Sequence, residues 1–88
     1  MAKRGRFEVI RDILTIVRDN KNNIRYTPLL RKANLSSSRF KEYYRDLLLK
    51  GFIVENISKQ KSISLSRKGF DFIEKYQVIV SFVEEFDL

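Results

Sequence analysis

Between Phe7 and Asn20 apolar residues recur at 7, 10, 13, 14 and 17, with Glu8, Arg11, Asp12, Thr15 and Arg18 opposite them. This is the period of an amphipathic helix, and the polar run DNKNN ends it. Ile24-Arg25-Tyr26 suits a brief extended segment. Thr27-Pro28 then reads as a helix start, because threonine caps free N–H groups and proline's missing N–H costs nothing at the first position. A short second helix, 28 to 33, follows. Asn34-Leu35-Ser36 makes a tight break, with Asn able to take positive φ and Ser36 placed to cap the next element. A third helix is predicted from 37 to 50, with Phe40, Tyr43, Tyr44, Leu47 and Leu48 on one face and Gly51 where a left-handed residue closes the C-terminus.

After Gly51, residues 52–57 alternate and are rich in β-branched side chains, 58–61 are polar, and 62–65 alternate again. That is a two-stranded hairpin with a basic tip. Ser66 caps a last helix from 67 to about 86. Within it YQVIVSFV (76–83) has strand-like composition, but Glu74, Gln77, Ser81 and Glu84 fall on one helical face and favour a helix. The order helix, short strand, helix, helix, hairpin, helix is the winged helix-turn-helix plan, mainly α with a small β-hairpin. The chain is expected to divide into a winged-helix unit with a basic N-terminal arm (1–66) and a C-terminal helix (67–88) that serves dimerisation, within one structural domain overall.

Composition narrows the chemistry. With no cysteine and no histidine among 88 residues, thiol and imidazole nucleophiles and Cys/His zinc sites are excluded, and three scattered glycines supply no phosphate loop. No catalytic residue, metal or cofactor is expected. A chain this short buries only about 60 to 65% of the surface exposed when unfolded, and with disulfide and zinc unavailable, self-association is the remaining way to enlarge its core. The formal charge of +7 points to nucleic acid. That charge is uneven: residues 1–50 carry +8, residues 51–68 carry +3 and residues 69–88 carry −4. The surface facing phosphate therefore lies before residue 69, and the last segment has a different task.

The segments TPLLRKANLSSSRFKEYYRDLLLKGFI (27–53) and LSRKGFDFIEKY (65–76) resemble the small archaeal winged-helix proteins whose long C-terminal helix forms an antiparallel coiled-coil dimer. The shared features are the ANLS turn into the third helix, the LL.KG.I pattern closing it and the L[ST].KG..F opening of the last helix. The resemblance implies duplex DNA binding by dimers in a chromatin-like or regulatory role. The chain departs from that pattern in a short C-terminal helix, in Glu42 on the reading helix and in a wing without glycine.

The third helix turns Ser38, Lys41, Glu42 and Arg45 away from its apolar face, with Arg39 and Asp46 at the edge. In a helix-turn-helix the first turns of this helix enter the major groove, where Arg or Lys donates to guanine and Ser pairs with several groups. Ser37, Ser38, Arg39, Lys41 and Arg45 are the expected base or phosphate contacts. Glu42 is expected to pair with Arg39 or Arg45 three residues away, with cytosine N4 as its alternative partner. Lys59 and Lys61 at the hairpin tip, Arg31 and Lys32 on the second helix, and the arm Lys3, Arg4 and Arg6 are expected on phosphate.

In the last helix the spacing Phe72, Tyr76, Ile79, Val83, Phe86 is a two-heptad seam, while Phe70, Ile73 and Val80 are expected to face the body of the domain. Together with Val78 and Phe82 these apolar residues cover an arc of roughly 200°, wider than the ~100° stripe one neighbour covers. Its length of about 30 Å is similar to the spacing of about 34 to 36 Å between successive major-groove half-sites. A parallel pair would set Glu84, Glu85 and Asp87 beside their own copies, so an antiparallel homodimer is expected. The anticipated partner is double-stranded DNA, with a cytoplasmic, nucleoid-associated location and no membrane segment. The alternative is a winged-helix module that docks another protein; it would expect an apolar patch on the third helix, where only Leu49 breaks the polar face.

Overall fold

The computed structural model describes residues 4–88. Its elements are α1 (Arg6–Asp19), α2 (Tyr26–Ala33), α3 (Ser37–Leu49), β1 (Ile53–Asn56), β2 (Ser62–Leu65) and α4 (Arg67–Glu85). β1 and β2 pair antiparallel, with Ile53 opposite Leu65 and Glu55 opposite Ile63. Ile24 exchanges two backbone hydrogen bonds with Ile63, at 3.1 and 2.7 Å, so the extended segment before α2 lies against the outer edge of β2.

Two local signals set the turn from α2 through α3. Asn34 takes the left-handed conformation at φ 56°, and the Ser36 side chain accepts from the Arg39 N–H at 3.3 Å. α3 closes with Gly51 at φ 80°, the Phe52 N–H donating to the Leu47 carbonyl and the Gly51 N–H to that of Leu48. This double hydrogen bond satisfies carbonyls that a helix end leaves free, and it needs positive φ at the glycine.

The start of α2 differs from the expectation. The helix begins at Tyr26, Arg25 is its N-cap, and neither Thr27 nor any other side chain caps it. Pro28 is still within the first turn, whose N–H groups have no helical partner. Tyr26 is drawn into the helix because its ring meets Phe40 and Tyr44 edge-on, at centroid distances of 5.2 and 5.0 Å, a favourable aromatic geometry.

The core is built from Val9, Ile10, Ile13, Leu14 and Val17 of α1, Leu29 and Ala33 of α2, Phe40, Tyr44 and Leu47 of α3, and Ile53, Ile63 and Leu65 of the hairpin, with Ile24 and Ile73 completing it. On α1 the buried stripe holds Ile10, Ile13, Leu14 and Val17 as expected and differs only at its start, where Val9 is inside and Phe7 lies 65% exposed. On α4, Phe70 does not face the body as expected. It is exposed, while Phe72 packs edge-on to Phe52 at 5.7 Å. The reason is Gly69. Its Cα sits so near the hairpin that an added Cβ would stand 2.4 Å from the Phe52 carbonyl oxygen, and this close approach fixes the rotation of α4.

The junction of α3 and α4 is further tied by Ser66, which accepts from the Gly69 N–H and donates to the Gly51 carbonyl, and by Lys68, which donates to the Lys50 carbonyl at 2.8 Å while lying over the Phe52 ring. The run DNKNN has a structural task besides ending α1: Asn22, at φ 55°, accepts the Leu65 N–H on its side-chain oxygen at 2.7 Å.

Candidate nucleic-acid interface

The sequence places the exposed face of α3 opposite Phe40, Tyr44 and Leu47, which the core fixes. Ser37, Ser38, Arg39, Lys41 and Arg45 are all exposed. Lys41 and Arg45 line one cleft with Lys61 of the hairpin loop, over a floor of Tyr26, Tyr44, Leu48 and Ile63. The cleft has a volume of about 510 Å³, and it is the place where cations from α3 and from the wing come together.

Behind it the Tyr44 hydroxyl donates to the Glu55 carboxylate, which also pairs with Lys61 at 3.2 Å. The Tyr44 hydrogen bond holds the Glu55 carboxyl below the usual glutamate range, with Lys61 adding to the effect. Burial and the neighbouring carboxylate push the Tyr44 phenol well above its ordinary value. Lys61 is thus anchored by an acid on its own hairpin, whereas Lys59 forms no ion pair among the described residues.

Lys59 shares a second groove with Arg25, brought there by the Ile24–Ile63 pairing. Nothing in the pattern of residues around Arg25 marks it as a site residue; the signal is only its position beside a segment that pairs with the wing. Arg31 and Lys32 are exposed in the last turn of α2.

The arm and the acidic residues are arranged differently from the expectation. Arg4 pairs with Asp12 at 3.0 Å and donates to the Ala33 and Asn34 carbonyls at 3.0 and 3.1 Å, so its guanidinium clasps the turn between α2 and α3. Arg6 pairs with Asp46, as does Lys50, both at 3.2 Å. Lys3 lies outside the described residues. The expected pairing of Glu42 with Arg39 or Arg45 is not formed: among the described residues Glu42 makes no salt bridge and no side-chain hydrogen bond. Asp46, one turn further on, is the acid of α3 that pairs, with Arg6 and Lys50.

These elements are a helix-turn-helix followed by a two-stranded wing, and a family model for the winged helix-turn-helix matches residues 3–83. The chain belongs to the winged helix-turn-helix family. No curated protein sequence matches it. In DNA-binding helix-turn-helix proteins the second helix of the motif lies in the major groove; the corresponding helix here is α3, which carries Ser37 to Arg45.

The remaining surface of this winged helix is the last helix. Phe72 is half-buried and stacks on Tyr76, whose ring lies under the Arg11 guanidinium at 4.9 Å. Beyond Tyr76, Ile79 is 61% exposed, and Val78, Phe82, Val83 and Phe86 are exposed as well. Phe7 of α1 joins Tyr76, Ile79, Val80 and Val83 around an open apolar groove. Among the described residues no helix is long and apolar enough to cross a membrane.

Proposed function

We propose that the protein is a dimeric, double-stranded DNA-binding protein of the nucleoid, acting in transcription regulation or as an architectural protein. In this reading α3 enters the major groove with Ser37, Ser38, Arg39, Lys41 and Arg45. Arg31, Lys32 and Lys59 hold phosphates, Lys3 of the arm adds a further phosphate contact, and Arg25 adds a cation beside the wing, while Arg4 stays on the turn between α2 and α3. The observation that carries it is the convergence of Lys41, Arg45 and Lys61 on one cleft between reading helix and wing, because cations from two elements aimed at one place suit a polyanion that crosses both.

Dimerisation is supported by the exposed apolar side chains of α4, with Ile79, Val83 and Phe86 forming the open part of a seam that the half-buried Phe72 and Tyr76 begin. Charge favours the antiparallel arrangement, in which Glu84, Glu85 and Asp87 approach the partner's Arg67 and the partner's Lys75. The resulting two-fold axis would make the interface isologous and set two reading helices on one duplex. In this reading residues 67–88 act as the dimerisation element of a winged-helix unit formed by residues 1–66.

The test is a binding titration with a random duplex at several salt concentrations. Association should weaken with a slope of roughly −0.9 per phosphate neutralised. A response flat in salt would sink the nucleic-acid reading.

A further inference from the structure

With about 100° between successive residues of a helix, Ser38, Glu42, Arg45 and Leu49 fall within an arc of about 60° opposite the buried Phe40. All four are exposed, Leu49 to 80%. They form the outermost ridge of α3, the part that reaches furthest into a groove. Its chemistry is mixed: a hydroxyl, a carboxylate, a guanidinium and an isobutyl group. The cations Arg39 and Lys41 flank it on either side, where the walls of a groove carry phosphate.

A helix that bound DNA only through its backbone would gain from cations along the ridge and lose from a carboxylate there. Among the described residues Glu42 also makes no ion pair, unlike Asp46, which holds both Arg6 and Lys50. An unpaired acceptor directed at the groove floor has one favourable base partner. Guanine and thymine present acceptors in the major groove, adenine presents an acceptor beside its amino group, and cytosine presents only the N4 amino donor. Arg45 lies three residues on, a rise of about 4.5 Å against about 3.4 Å per base step, so it reaches a neighbouring pair, where guanine O6 and N7 suit its fork.

We propose that this ridge reads sequence, with Glu42 selecting cytosine and Arg45 a guanine on an adjacent base pair, so that the protein discriminates among duplexes rather than coating them. The inference rests on the DNA-binding reading above and narrows it.

The experiment is selection from a random duplex pool, followed by anisotropy titrations at fixed salt, with wild type, E42A and E42Q. Glu42 is exposed and unpaired, so both variants should fold, which circular dichroism checks. Wild type should enrich sites with one cytosine per half-site and bind them roughly 10³-fold or more tighter than random duplex. E42A should lose roughly tenfold or more of the preference at that position while binding random duplex at least as well, and E42Q should move the preference to adenine, whose N6 and N7 suit an amide. If wild type enriches no sequence, or E42A keeps the wild-type preference at every position, Glu42 does not select cytosine and the proposal falls, while the DNA-binding reading stands without it. If no duplex binds at low salt, both fall.

Discussion

The Tyr44 hydroxyl donates its hydrogen to the Glu55 carboxylate, joining the middle of α3 to the first strand of the wing. Tyr44 is otherwise a core residue, stacked on Phe40 at a centroid distance of 5.9 Å. One side chain therefore anchors α3 in the core and sets the angle of the hairpin beside it, while Glu55 in turn holds Lys61 at the edge of the cleft.

Removing that hydroxyl should show in stability and in its pH dependence. A hydrogen bond to a charged group contributes about 1.5 to 3 kcal/mol, and Y44F is expected to lower stability by an amount near the lower end. Because folding depresses the Glu55 carboxyl, this contribution is present above the ordinary glutamate value and is lost as pH falls through the lower folded value. Urea denaturation of wild type and Y44F should therefore give a gap at neutral pH that narrows in acid. An equal gap at both would rule out a charged Glu55 as the acceptor.

Gly69 is fixed by space rather than by dihedral freedom. Alanine would favour the helix by roughly 0.5 to 1 kcal/mol over glycine, yet its Cβ would meet the Phe52 carbonyl at 2.4 Å and the Leu65 Cβ at 3.3 Å. Overpacking of this kind costs about 1 to 3 kcal/mol. G69A is expected to be less stable in thermal or urea unfolding, against the sign that helix propensity alone would give.

Arg4 clasps the turn between α2 and α3, and its pair with Asp12 is partly exposed. R4A is expected to cost about 1 kcal/mol or less, since partly exposed pairs contribute little, and the loss should appear as faster amide exchange at the Asn34 turn. Unchanged exchange there would show that the turn holds without the clasp.

Phosphate contacts separate by salt dependence. K41A and K59A should each reduce the steepness of the salt slope by about one. K61A should reduce it by less, because Glu55 already offsets part of that charge in the free protein. Isotherms at four or five salt concentrations for each variant provide the comparison.

Self-association is tested on the exposed part of α4. Ile79 is open to solvent in the single chain, so I79E should leave the fold intact by circular dichroism and abolish the dimer. Sedimentation of wild type should give twice the 10.5 kDa chain mass, and I79E that mass once. A wild-type monomer at tens of micromolar would remove the proposed seam.

Much of this architecture is legible in the order of residues because its signals are short-range. A residue that tolerates positive φ at Asn34, a serine cap at Ser36, a glycine at position 51 and the alternation of 62–65 each act within one turn or one strand, so neighbouring residues suffice to determine them. The uneven charge is a property of the chain alone. What only the tertiary structure decides depends on residues far apart in sequence. Tyr26 enters α2 because Phe40 and Tyr44 receive its ring; Phe72 rather than Phe70 turns inward because Gly69 meets the Phe52 carbonyl; Arg4 closes on Asn34. Among the described residues Glu42 pairs with neither Arg39 nor Arg45, although both are within helical reach, while Asp46 is held by Arg6 and Lys50. Local spacing specifies which partners are reachable, and the packed core selects among them.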